Sequence, residues 1–134
     1  MSGGELATES RRTAQAAWNV SLLENLLAED PNAHVVILGD LNSYYNSKPI
    51  DRLREAGLRH VFEALDPDER YTYIYQGASQ VLDHILITSN LWDILTNVHI
   101  YHADADFPPH DPGDSSPLHQ SDHDPVIAIF SINP

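Results

Sequence analysis

The tightest constraint on this chain is a short apolar run, His34-Val35-Val36-Ile37-Leu38, closed by Gly39. It is rich in β-branched residues and has no polar alternation, so it reads as a strand buried on both faces. Such a strand must be covered from two sides, and the preceding segment offers one cover. From about Leu6 to Glu29, Ala14, Trp18, Leu22 and Leu26 recur every four positions, and Leu23 and Leu27 widen the stripe. This predicts an amphipathic helix with Trp18 packed in the core, ended by Asp30-Pro31. Asp40-Leu41-Asn42 then stands at the C-terminal end of the strand, where α/β folds place functional groups.

The remaining segments alternate in type. Ser47-Lys48-Pro49 opens a short helix, with Ser47 as the N-cap, Ile50 and Leu53 as its apolar pair and Gly57 as its C′ residue. Tyr71 to Tyr75 is β-rich, Gln76-Gly77-Ala78-Ser79 makes a turn, and Val81 to Thr88 reads as the partner strand. Alternation in that strand puts Asp83, Ile85 and Ile87 on one face and Leu82, His84 and Leu86 on the other. Further strands are expected at Thr96 to Tyr101 and at Val126 to Phe130, around a Pro/Asp/His loop from Ala103 to Gln120. The order predicts a mixed, layered α/β fold.

Length and composition narrow the chemistry. The 134 residues suit one domain, and the absence of cysteine excludes disulfides, a thiol nucleophile and thiolate metal sites. No apolar run approaches the roughly 20 residues of a membrane span. The formal net charge is -13, and no Lys or Arg follows Arg70. This speaks against a simple basic groove for nucleic acid and permits carboxylates gathered around a hard divalent cation.

Three segments set ionisable groups beside strands: Gly39-Asp40-Leu41-Asn42, Leu82-Asp83-His84 and Ser121-Asp122-His123-Asp124-Pro125. Asp40 and Asn42, two apart in an extended segment, share a side and can face a Mg²⁺-like ion, or a phosphate and its attacking water. Asp122 and His123 are adjacent and point apart, so one can ligate metal while the other reaches a phosphate oxygen. Asp83 can hydrogen-bond an imidazole and fix its tautomer.

Gly-Asp-Leu-Asn, Leu-Asp-His and Ser-Asp-His-Asp-Pro in this order resemble the motif set of the endonuclease/exonuclease/phosphatase superfamily. Gln15-Ala16-Ala17-Trp18-Asn19, Tyr44, Pro49, Tyr71-Thr72-Tyr73 and His102-Ala103-Asp104-Ala105-Asp106 resemble its bacterial extracellular nuclease branch. The resemblance implies metal-dependent hydrolysis of phosphodiester bonds, most simply in nucleic acid, by a secreted or periplasmic bacterial protein. It implies that Asp40 orients or deprotonates the attacking water or ligates metal, and that Asn42 holds water, phosphate or metal. Asp83 would support His123, Asp122 would ligate Mg²⁺ (or Mn²⁺ or Ca²⁺), and His123 would stabilise the scissile phosphate.

The resemblance runs from about Arg11 to Phe130. Residues 11–134 therefore read as the C-terminal half of such a domain and residues 1–10 as a flexible start. The family's other half supplies a Glu metal ligand, an Asn and a further His or Tyr, for which the roughly 33 residues before the first strand leave no segment. The expectation is an open sheet face and, through it, a homodimer. Two alternatives remain at this stage: a phosphomonoesterase or lipid phosphodiesterase of the same superfamily, and a non-catalytic half-domain that binds metal or a partner chain. Among the other polar residues, His84 is expected as a buried core histidine and Asp124 as a turn anchor. His102, Asp104, Asp106, His110, Asp111, Asp114 and His119 are expected in a solvated loop, with a second metal site as the alternative. Tyr44 and Tyr45 are expected to cap a sheet end, with stacking on a base or sugar as the alternative.

Overall fold

The structure is a computed structural model that describes residues 5–109, 111 and 113–132, apart from the side chains of residues 5 and 6. The first helix, α1, runs Glu5–Glu29 and is followed by strand β1, Val36–Asp40. Residues 5–10, set apart as a flexible start by the sequence reading, are the first turns of α1, and Glu9 accepts a 2.7 Å ion pair from Lys48. The second helix, α2 (Lys48–Glu55), leads into the short strand β2 (Arg59–His60) and two 3₁₀ turns. The hairpin β3 (Tyr73–Tyr75) and β4 (Ala78–Gln80) comes next, then β5 (Asp83–Ile87) and a single turn of helix, α3 (Ser89–Trp92). Strands β6 (Leu95–Ile100) and β7 (Val126–Phe130) complete the order. Among the described residues, no helix is long and apolar enough to cross a membrane.

Among the described residues three antiparallel sheets result: β1-β5-β2, β3-β4 and β6-β7. The partner of the Tyr71–Tyr75 segment is therefore β4, not the Val81–Thr88 segment. Gln76 and Gly77 both take positive φ, which turns the chain back at once and frees β5 to pair with β1. The helix α2 ends as its sequence predicts. Gly57, at φ +92°, donates to the Arg54 carbonyl and Leu58 to that of Leu53, which completes a Schellman cap. Ser47 sits at the N-cap, but its hydroxyl donates to the Tyr44 carbonyl instead of capping an amide.

Two hydrophobic clusters lie on opposite faces of β5. Leu86 joins Ala16, Val20 and Leu23 of α1 with Ile50 and Leu53 of α2. Ile87 joins Val61, Phe62, Leu91, Val98 and Ile100, with Ala128 and Phe130 against them. Each fully buried Leu or Ile contributes roughly 1.5–3 kcal/mol by leaving water. Two expectations fail here. The buried stripe of α1 is Ala16, Val20, Leu23 and Leu27, while Trp18, Leu22 and Leu26 lie on the opposite side in solvent. At 100° per residue the helix carries two apolar stripes, and the one with smaller side chains lets α2 approach closely. Strand β1 is an edge strand with one open face, so Leu38 is 66 % exposed and is not buried on both sides.

Candidate active site

The loop after β1 is set from beneath by a dry chain of hydrogen bonds. Phe62 N–H donates to His60 Nδ1 at 3.1 Å, which leaves the His60 proton on Nε2. That nitrogen donates to His84 Nδ1 at 2.9 Å, and His84 Nε2–H donates to the Ser43 carbonyl at 2.8 Å. Both rings are essentially inaccessible. Burial, then the neighbouring His84 and the Arg54 and Arg70 guanidiniums, push His60 down to about 2. Burial pushes His84 down to about 4. Both are neutral imidazoles with fixed tautomers, and His84 is the core histidine its strand position predicts. From above, the Ser43 hydroxyl accepts from Arg12 Nε at 3.0 Å and donates to the Leu41 carbonyl at 3.1 Å.

Held this way, Asn42 adopts φ +48°, a conformation Asn tolerates better than most residues. Asp40 and Asn42 meet through this turn and not through strand alternation. Asn42 N and Nδ2 donate to the two Asp40 oxygens, each at 2.8 Å. The Asn42 Oδ1 atom has no donor among the described residues and stands as an acceptor beside the carboxylate.

Asp40 and Asp83 are direct cross-strand partners of β1 and β5. Residues so opposed share a face, with Cβ atoms roughly 5 Å apart, and like charges there repel. Each carboxylate has its own counter-dipole. Asn42 serves Asp40, and His123 Nδ1–H donates to Asp83 Oδ2 at 2.7 Å. The carboxylate fixes the His123 tautomer and leaves Nε2 as the outward nitrogen. Tyr73 bridges to His123 through the backbone and lies 4.8 Å from its ring. Buried Thr72 ties the two segments together. Its Oγ1 accepts from Leu82 N and Asp83 N, both at 3.2 Å, and its carbonyl accepts from Asp124 N at 2.8 Å. Sequence reasoning missed this role of Thr72.

Asp124 is a buried anchor, as expected. It accepts from Asp104 N at 3.0 Å, Ala105 N at 2.9 Å and His102 Nδ1 at 2.8 Å. The start and end of the Pro/Asp/His loop are thus pinned together, and Asp104 in turn accepts from Gln120 N at 2.6 Å. His110 lies outside the described residues. Tyr45 packs against His60, Phe62 and the Arg54 guanidinium, a core position and not a stacking platform.

The structure thus joins Asn42, Asp40, Asp83 and His123 into one run. Asp122 stands apart, exposed and without a hydrogen-bond partner among the described residues. Asp40, Asn42 and Asp122 offer oxygen donors only, the set that hard divalent ions take. Among the described residues, the His/Asp group whose ligand atoms draw within 4.8 Å of one another is a different one: His102, Asp106 and Asp124. It could hold a metal, although Asp124 already accepts from two amides and an imidazole. His60 and Ser43 are the other residues that set this loop and that the sequence did not reveal. Their only signal is fold-dependent, a buried histidine beneath the motif strand.

No curated protein and no solved structure matches the chain. The model of the Endonuclease/Exonuclease/phosphatase family matches residues 3–123, a stretch that holds Asp40, Asn42, Asp83, Asp122 and His123. On that match, over most of its length and across the whole run of site residues, the chain belongs to the endonuclease/exonuclease/phosphatase family.

Proposed function

We propose that this chain hydrolyses phosphodiester bonds in nucleic acid with the help of a divalent metal, Mg²⁺ by first expectation. The observation that supports this most is the run Asn42–Asp40–Asp83–His123, which places a carboxylate–amide pair and a carboxylate-oriented imidazole on one face of the β1–β5 pair. Asp40 prepares or orients water, and His123 Nε2 faces the phosphate, where an imidazolium would offset negative charge. Asp122, Asp40 and Asn42 would hold the ion, whose chemistry is to polarise the phosphate and lower the pKa of bound water. The juxtaposed Asp40 and Asp83 carboxylates favour a cation in any case.

The test is nicking of plasmid DNA by the purified chain with Mg²⁺, with EDTA, and with His123→Ala and Asp122→Ala. Loss in both variants and in EDTA is the expected result. Equal activity in parent and both variants would remove the site. A panel of phosphomonoesters and lipid headgroup diesters separates the other specificities of the family.

A second reading rests on the open edge of β1, where Leu38 is exposed, and on half-exposed Ile127 and Ile129 of β7. An unpaired edge with apolar side chains is a template for another chain. We propose a second copy as its partner, completing the sheet beside the site.

A further inference from the structure

A cavity of about 710 Å³ lies between α1 and the Asp40–Ser43 loop. Its size falls within the roughly 300–1,000 Å³ of small-molecule sites. It is continuous with the candidate active site, since Asp40 and Asn42 line it together with Arg11, Gln15, Trp18 and Asn19. Arg11, Gln15 and Trp18 are spaced by four and three residues, so they share one face of α1.

Two of these residues lack the explanation that the rest of the fold would give them. Six of the seven basic residues pair with an acid, a hydroxyl or a carbonyl: Arg12 with Ser43, Lys48 with Glu9, Arg52 with Glu55, Arg54 with Asp51, Arg59 with Glu63 and Arg70 with the Leu65 carbonyl. Arg11 is exposed and has no partner among the described residues. In a chain of net charge -13, the one Lys or Arg without a partner among the described residues lines the cavity that holds Asp40. Trp18 is 64 % exposed on the same wall, where an indole with nothing to cover it carries a cost in water.

We propose that this cavity is a nucleotide subsite beside the scissile position, with Arg11 meeting the adjacent phosphate and the Trp18 ring stacking on its base. This deepens, and rests on, the reading of the chain as acting on nucleic acid. A guanidinium beside an aromatic face is the pairing that binds single-stranded nucleic acid without regard to sequence: charge for the backbone, a π-surface for any base. Gln15 and Asn19 add amides to the same wall, able to hydrogen-bond a sugar or base edge. Arg11 lines the same cavity as Asp40 whereas His123 does not, so the guanidinium marks the direction in which the strand would leave the reaction centre.

The test is tryptophan emission of the full chain titrated with an oligothymidylate of about eight nucleotides, in EDTA so that no turnover intrudes. The parent shows saturable quenching, and Trp18→Phe, which leaves only Trp92 to report, shows none. Arg11→Ala weakens binding about tenfold and lowers the slope of log affinity against log salt by about 0.7, the share of one phosphate on a single strand. Arg52→Ala, which removes the same charge away from the cavity, changes neither. Absence of quenching, or quenching that Arg11→Ala leaves intact, overturns the subsite. So does a blue shift of Trp18 emission that grows with protein concentration alone and excludes the oligonucleotide, since that marks a protein contact. Plasmid nicking separates the two readings. Nicking without quenching removes the subsite alone, whereas quenching without nicking upholds the subsite and removes hydrolysis.

Discussion

Asp83 and His84 are neighbours on β5, yet their side chains enter opposite worlds. On one face, His123 reaches Asp83 from a loop, remains a quarter exposed, and has an anion for its partner. On the other, His84 is shut off from solvent and hydrogen-bonds a second histidine and a backbone carbonyl. The same ring is thus set against a carboxylate above the strand and held neutral below it. Residue type decides neither outcome; the partner and the solvent do. On the proposed reading the dry face positions and the wet face reacts, and one strand carries both.

The comparison can be broken from its largest effect downward. His123→Ala is expected to cut hydrolysis about 10³-fold with unfolding unchanged, since positioned acid–base groups contribute roughly 10²–10⁴. Retention of more than about a tenth of the parent rate in this variant would falsify the wet-face role. His84→Ala is expected to do the reverse. It strands the His60 donor and the Ser43 carbonyl in a dry site and opens a cavity, at about 3 kcal/mol by urea denaturation. A loss of activity with full stability would erase the contrast.

Acid sharpens it further. The folded pKa values of His60 and His84 lie below the unfolded value of 6.5, so the unfolded chain binds more protons as pH falls. Stability contributed by these neutral rings is present above pH 6.5 and is lost below it, down to about 4 for His84 and about 2 for His60. The loss amounts to on the order of 2 kcal/mol per histidine at pH 5. Denaturation curves between pH 7 and 5 measure it, and His84→Gln is expected to halve the slope. Asp83→Asn, which keeps shape but surrenders the anion, is expected to lower the rate about tenfold and to leave the fold intact. The smallest effect belongs to Leu38→Asp, on the open part of the Asp40 face. Monomer stability shifts by less than about 0.5 kcal/mol, and concentration-dependent association, read by sedimentation, disappears.

Much of this was legible in the chain because it depends on nearest neighbours. Gly57 marks the end of α2, alternation in β5 sorts Asp83 from His84, and three short motifs mark the site. The two sides of α1 were not legible. Trp18, Leu22 and Leu26 outweigh Ala16, Val20 and Leu23 in hydrophobic bulk, and bulk names an apolar stripe without saying which stripe finds a partner. The double cover expected for β1 failed for the same reason, because β-branched residues fit an edge strand as well as a central one. The His60–His84 pair spans 24 residues and Arg12–Ser43 spans 31, and no local pattern encodes such separations.

Thr72 has a consequence for motion. One buried residue receives the amides of Leu82, Asp83 and Asp124, on both segments that frame the Asp83–His123 contact. Those three amides can be released only by opening the same small region, so they should trade hydrogen for deuterium at one common rate. The spacing between the acid and the imidazole is then kept by a shared hinge point that either holds both or frees both.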